Sequence, residues 1–368
     1  MEEEVILKKP KNVMKRKTLN YLGFNKFVGM YLIIRMHLYS HKTMPFDYGI
    51  RMCELLFISS GFLVGYNYYK NPMEPTIISS FKYSYKHLRS FYPYYLIIFL
   101  YGLYFYKNLR KFDLTYIELL LINILMIANW SSHRKIARFY FGISWFLDNI
   151  LYCYFISPLL LNSINNLKSS LKCLFFALLA RILVEEFLNR GAYNVFDTNY
   201  HCGPIIRILE FYIGMLLSPL YFTLKDYLDK FQNKFTLKMI STIIQIILPI
   251  YLCYLMIKFD KIFYRCYFIL IISAYIFIIS FDYGYISSLV GTKLFKTIMS
   301  AQLEMYLIQI NVDITFEKYF GKINRSGLSG EAIFFIKLMI IFIISYFYRK
   351  CFRDKLAILT DKIIFFLI

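Results

Sequence analysis

The chain has 368 residues, 58% of them hydrophobic and 20% aromatic, and its 43 Lys and Arg against 23 Asp and Glu give a formal charge of +20. A soluble domain is about half apolar and interrupts its apolar runs with charges every few residues. Here runs such as 262–280 and 333–348 stay apolar for about the length that crosses a hydrocarbon core of roughly 30 Å. The runs do not alternate, which excludes a β-barrel, and backbone groups in lipid must pair within their own segment. The expected fold is therefore all-α: a polytopic transmembrane helical bundle of about ten spans. The positive charge sits in short clusters between apolar runs, as the positive-inside rule produces, so the partner it implies is the lipid bilayer and not nucleic acid.

In chain order, residues 1–19 read as a cytoplasmic N-terminal tail with basic runs at Lys8-Lys9 and Lys15-Arg16-Lys17 and no signal peptide. Candidate spans follow at 24–41, 50–69, 91–106, 114–130, 141–161, 171–188, 205–222, 238–257, 262–281, 298–316 and 331–349. Residues 20–350 read as one membrane-embedded domain and 351–368 as a cytoplasmic or interfacial tail. The basic clusters at the N-terminus, Lys82–Arg89, His133–Arg138 and Arg349–Lys355 place both termini in the cytoplasm, and only an even number of crossings allows that. One candidate must then fail to cross. The expected one is 171–188, which carries Lys172, Arg181, Glu185 and Glu186, because charges inside a membrane cost several kcal/mol. Leaving it out also makes the basic loop Lys225–Lys238 cytoplasmic.

The first span holds Lys26 and His37, eleven residues apart. That is three helical turns, so both lie on one face, about 16 Å apart along the axis. Lys26 is expected at the cytoplasmic end and His37 near mid-membrane, where a histidine either acts as a proton acceptor or makes an interhelical hydrogen bond. Arg35 falls roughly opposite Lys26 and needs another partner or a snorkelling route to the interface. In the second span Ser60, Gly61 and Gly65 permit a close helix approach, and Glu54 shares the face of Gly61 two turns away. Lys82, Lys86, His87 and Arg89 form a basic, aromatic run before Pro93, which serves either to fix topology or to clamp the phosphates of a nucleotide or coenzyme A. The seven cysteines show no metal-ligand spacing, so neither a metal site nor disulfides are expected. Asp148, Glu210, Glu304, Asp313 and Lys337 are intramembrane charges and functional candidates by default. The competing reading is interhelical pairing for Glu210 and Glu304, and interfacial placement for Asp313 and Lys337.

Several separated stretches resemble, in order, the membrane acyltransferase-3 family of bacterial integral-membrane O-acyltransferases. Lys26 to His37 is similar to its basic residue, ten residues, then histidine. Leu56-Phe57-Ile58-Ser59-Ser60-Gly61-Phe62 resembles its Phe-Phe-x-x-Ser-Gly-Phe element, and Lys86 to Pro93 its basic motif ending in Tyr-Pro. Trp145-Phe-Leu with Tyr154 and Pro158, Glu210 to Leu217, and Met305 to Gln309 resemble three later helices. The chain departs from the pattern at Ser90, where Arg is usual, with Arg89 one place earlier; at Ile150, where Glu is usual, with Asp148 nearby; and at Gln309, where His is usual. The loss of that Glu at Ile150, together with the Trp145-Phe-Leu form, looks more like the exopolysaccharide-modifying branch than the branch with fused periplasmic domains.

The resemblance implies a multi-pass enzyme of the bacterial cytoplasmic membrane that uses acetyl-CoA or another acyl-CoA as donor substrate, with no bound cofactor, and a saccharide hydroxyl as acceptor. It implies that His37 is catalytic, as general base or as acyl carrier. It implies that Lys26, with Lys86 and Arg89, holds the coenzyme A phosphates while Ser60 and Gly61 let the pantetheine arm pass, and that Trp145, Asp148 and Tyr306 bound the sugar. A polysaccharide polymerase or a lipid-linked sugar flippase is the competing class, though such proteins carry large periplasmic loops. A proton-coupled transporter would show inverted repeats. The oligomeric state is open.

Overall fold

The computed structural model describes residues 19–38, 47–106, 114–128, 144–189, 203–258, 262–320 and 329–367. Among these residues the chain forms fourteen α-helices and no β-strand. They are α1 (Asn20–Leu38), α2 (Asp47–Lys70), α3 (Ile77–Tyr106), α4 (Leu114–Ile124), α5 (Ser144–Leu160), α6 (Leu167–Asn189) and α7 (Pro204–Asp229). After them come α8 (Lys234–Lys258), α9 (Ile262–Ile279), α10 (Tyr285–Val290), α11 (Lys293–Ser300), α12 (Gln302–Phe320), α13 (Gly330–Cys351) and α14 (Arg353–Leu367). Among the described residues, four helices are long and apolar enough to cross a membrane on length and composition alone: α5 with its 3-10 extension to Ile164, α7, α8 and α13. The basic runs before residue 19 and the cluster His133–Arg138 lie outside the described residues.

The centre of the bundle is the contact between α2 and α7. A Cβ on Gly61 would fall 1.8 Å from the Phe211 carbonyl oxygen, and one on Gly214 would fall 1.9 Å from that of Ile58. The two backbones touch, which is the close approach that small residues allow between membrane helices. By contrast α8 is peripheral, with 17% of its apolar window buried against 67% for α7. It exposes Ile243, Ile246, Ile247, Ile250 and Tyr254, and α13 exposes Phe335, Met339, Ile343 and Phe347. These stripes at three- and four-residue spacing are faces for lipid.

Depth along the bundle follows from cross-helix contacts, with the near end taken as that of Asn20. There Asp282 accepts from the Asn20 and Tyr21 backbone N–H groups at 3.2 and 3.0 Å, supplying the anionic cap that the first turn of α1 lacks. Asp282 holds φ at 58°, a left-handed conformation that Asp tolerates better than most residues. Tyr69 donates to the Ile164 carbonyl and Tyr68 to Asn165, so the start of α6 is also at the near end. At the far end Arg35 pairs with Glu331 at 2.5 Å and lies over the Phe334 ring, which gives it the separate partner its position requires. The C-terminal α14 docks on the near end of α3, where Asp361 accepts from Tyr85 at 2.7 Å and from Arg89 at 2.6 Å.

Two of the candidate segments, 171–188 and 114–130, take the following form. Segment 171–188 is part of α6, which climbs from the near end at Asn165 to Arg181 beside Glu54. Its charges did not keep it out of the bundle, because Arg181 and Glu185 are paired inside. The expected span 114–130 is instead the eleven-residue α4, which ends at the depth where Tyr92 and Tyr95 donate to the Ile124 and Asn123 carbonyls. A turn follows at Met126, with φ at 56°.

Candidate functional site

Four helices bring one side chain each to a single cluster in the near half of the bundle. Lys26 of α1 donates its Nζ to Ser60 Oγ of α2 at 3.1 Å, and Ser60 in turn donates to the Leu56 carbonyl at 2.7 Å. Tyr154 of α5 lies beside the same Ser60. His87 of α3 stacks on the Tyr154 ring, centroids 4.0 Å apart and planes within 18°. Tyr83 closes the far edge of the imidazole at 4.8 Å, and Phe211 meets Tyr154 edge-on at 5.9 Å.

The neighbours of this cluster sort the basic run on α3. Lys86 is exposed beside it. His87 is not the cation expected, since its position outside the apolar part of α3 is nonetheless packed by aromatic rings. Burial, with Lys86 and Lys26 adding repulsion, holds the imidazole down to about 4, so it is neutral near pH 7. Arg89 does not join the cluster; it is turned to Asp361 of α14. Gly61 lies against the Phe211 backbone, so its bare face is filled by α7 and offers no passage to a donor chain.

Toward the far end, α2, α6 and α7 each contribute one arginine and one glutamate about a helical turn apart. Arg51 and Glu54 pair at 2.5 Å, Arg181 and Glu185 at 2.6 Å, and Arg207 and Glu210 at 2.5 Å. Arg181 ties the three pairs together, reaching Glu54 at 3.2 Å and Glu210 at 2.9 Å. No side chain in this set is more than 7% exposed. Buried charges at this depth are tolerable only when matched, and three arginines meet three carboxylates here. Glu210 is therefore an interhelical partner. Glu304 is another, 3.2 Å from Arg349. Lys337 is 4% exposed and pairs with the partly exposed Asp313 at 2.7 Å and Glu317 at 2.8 Å.

The Arg207 guanidinium lies over both Phe57 and Trp145, so one face of Trp145 is covered by a cation. Phe57 packs on Phe146 at 5.0 Å, and Phe146 on Tyr306 at 5.3 Å, joining α2, α5 and α12. Tyr306 and Asp148 are buried in this layer, at 1% and 2% exposure. His37 lies in the last turn of α1 and not halfway along it. Its neighbour Met36 meets Gly49 in the first turn of α2, at the far end. The sequence thus brings Lys26, Ser60 and Lys86 to the near half, with Trp145, Asp148, Tyr306 and His37 farther along. The Tyr154–His87 stack and the three-helix ion network were not singled out as sites.

A family model described as an acyltransferase domain matches residues 18–349. No curated protein matches the chain, and no solved structure does.

Proposed function

Since the chain belongs to the acyltransferase-3 family and is a membrane acyltransferase, we propose that it transfers an acyl group, acetyl first among them, from cytoplasmic acyl-CoA to a sugar hydroxyl of a bacterial surface polysaccharide. The observation that carries this reading is the Lys26–Ser60–Tyr154–His87 cluster, whose Lys26 shares α1 with His37 and lies about 16 Å nearer the basic end. Lys82, Lys86, Arg89, Lys225, Lys234, Lys238, Arg349 and Arg353 all belong to the near end, which supports a cytoplasmic assignment for it. In this reading ten helices cross: α1, α2, α3, α5, α6, α7, α8, α9, α12 and α13. Among the eleven candidate spans, 114–130, here the short α4, is the one that does not.

The donor's phosphates meet Lys86 and Lys82 at the cytoplasmic mouth, and Lys26 draws the charged end inward against its hydroxyl partner. The thioester carbonyl then approaches His37 from within. In one route His37 takes the proton of the sugar hydroxyl as its oxygen attacks the carbonyl carbon. The carbon–sulfur bond breaks and the thiolate receives that proton. In the other, an imidazole nitrogen attacks first, coenzyme A leaves as the thiol, and the sugar hydroxyl displaces the imidazole from the acyl group. Both need His37. The test is purified His37→Ala with radiolabelled acetyl-CoA and unmodified polysaccharide: transfer should vanish, and transfer at the wild-type rate would refute the mechanism.

A further inference from the structure

Helices α3, α12 and α13 enclose a groove of about 490 Å³. The floor is α12, which packs against both of the others, and Ile98, Tyr101, Val312, Phe316, Ile344 and Phe347 are among the lining side chains. Polar groups along it are spent on one another. Asn311 donates to the Ile98 carbonyl at 2.9 Å, and Tyr101 donates to Thr315, which donates to the Asn311 carbonyl at 2.6 Å. The space that remains is apolar, and it opens outward, since Tyr101, Ile344 and Phe347 are 39–58% exposed. Phe347 also belongs to the lipid-facing stripe of α13, so the opening is onto lipid.

The near end of the groove is cationic. There the Tyr94 and Tyr348 rings, centroids 4.0 Å apart, join its walls, and Phe352 lies against Phe347 and Tyr348. Phe352 stands between Arg349 and Arg353 in the chain, and both guanidiniums reach the one Glu304 carboxylate, at 3.2 and 3.7 Å. Their side chains are 31% and 24% exposed, so both stay open to a ligand. Lys350 and Lys355 add two further cations and Asp354 one anion, which leaves an excess of positive charge at the end of an apolar trough.

We infer that this groove binds an anionic phospholipid, with one acyl chain along α12 and the phosphate on Arg349 and Arg353. Lipid tails are as apolar as the groove, so the chain supplies fit and the headgroup supplies selectivity. Guanidiniums suit a phosphate because they meet its oxygens two at a time. The site does not depend on the acyl-transfer reading; only its assignment to the cytoplasmic leaflet rests on the orientation given above.

The experiment weighs full-length protein, extracted from its native membrane in mild detergent, intact by native mass spectrometry. Delipidated protein is then titrated with phosphatidylglycerol or phosphatidylcholine. The native protein should carry one anionic phospholipid, and phosphatidylglycerol should bind at least about fivefold more tightly than phosphatidylcholine. Arg353→Gln should cut that preference about fivefold, whereas Lys296→Gln, an equal loss of charge on α11 at the same end, should leave it within about twofold. Ile344→Trp, which fills the groove, should abolish retention of both lipids. Equal affinity for the two lipids would overturn the inference, as would equal losses in Arg353→Gln and Lys296→Gln, which mean general surface charge. A lipid-free dimer would give the groove to a second copy, and the mass of a polyprenyl-phosphate sugar would give it to a lipid-linked glycan; either result overturns the inference. If Ile344→Trp does not fold, the comparison of Arg353→Gln with Lys296→Gln decides alone. None of these readouts uses acyl transfer, so failure of that reading leaves the test intact.

Discussion

Lys26 donates to Ser60 across the α1–α2 interface at 3.1 Å, and that one hydroxyl also meets Tyr154. A cation held by neutral partners keeps its charge available to an anionic ligand, whereas a carboxylate would cancel it. Lys26→Met should therefore raise the KM for acetyl-CoA about tenfold or more, the scale of one hydrogen bond to a charged group. Ser60→Ala should give a smaller rise, since the ammonium remains but loses its anchor. Steady-state kinetics with varied acetyl-CoA checks both, and an unchanged donor KM in Lys26→Met would remove the cluster from donor binding.

Arg181 touches Glu54, Glu185 and Glu210, so Arg181→Met leaves three buried carboxylates to two arginines. Breaking a buried pair from one side costs about 3–5 kcal/mol. The variant should lose most of its thermal stability in detergent, and Arg181→Lys should recover little because an ammonium cannot fork among three partners. Arg89→Ala, which breaks a half-exposed pair with Asp361, should change stability by less than about 1 kcal/mol. Equal melting of the Arg181 and Arg89 variants would contradict this account of the network.

Gly61 and Gly23 make opposite predictions for the same substitution. Alanine at Gly61 drives its methyl into the Phe211 carbonyl, and neither backbone can give way without parting α2 from α7. That substitution should abolish folded protein on size-exclusion chromatography. At Gly23 an added Cβ meets nothing within 4 Å, so alanine should stabilise α1 by about 0.5–1 kcal/mol through its helix propensity. A folded, active Gly61→Ala would mean the helices do not cross there.

The helical class and the motif residues were legible because continuous apolar runs and fixed spacings are local properties. Lys26 and Ser60 could be named from sequence, but not their bond, which depends on how α1 and α2 register. For 171–188 the sequence shows the charges but not their burial as pairs: Arg51–Glu54, Arg181–Glu185 and Arg207–Glu210 give three helices a matched pair about one turn apart. Pairing in sequence was the available signal that the charges neutralise one another. For Gly61 the small residue signalled close approach, but only the fold shows that α7 takes it.

His87 gives a pH signature with a definite sign. Its folded value is lowered to about 4 from an ordinary value near 6.5, so the unfolded chain binds the proton more tightly. Its contribution makes stability rise with pH between about 4 and 6.5 and level off above. Thermal midpoints of wild type should therefore fall as pH drops from 7 to 5. His87→Phe, which keeps a ring on Tyr154 without a titrating nitrogen, should flatten part of that fall, and an unaltered profile would show that His87 is not the buried neutral group described.

The proposed topology has α6 cross the membrane and α4 not. Asn165 lies at the near end with Tyr68, while the other end of α6 lies beyond Arg181, at the level of Glu54 and farther. Single cysteines replacing Asn165 and Asn189 in a cysteine-free background should then react from opposite sides of the membrane with an impermeant maleimide. Asn165→Cys should label only in inverted vesicles and Asn189→Cys only in intact cells after outer-membrane permeabilisation. Labelling of both from one side would restore 171–188 as the segment that stays on the surface. It would also require that the ion network of Arg181 with Glu54 and Glu210 form outside the lipid, where water would weaken each pair to about 1 kcal/mol or less.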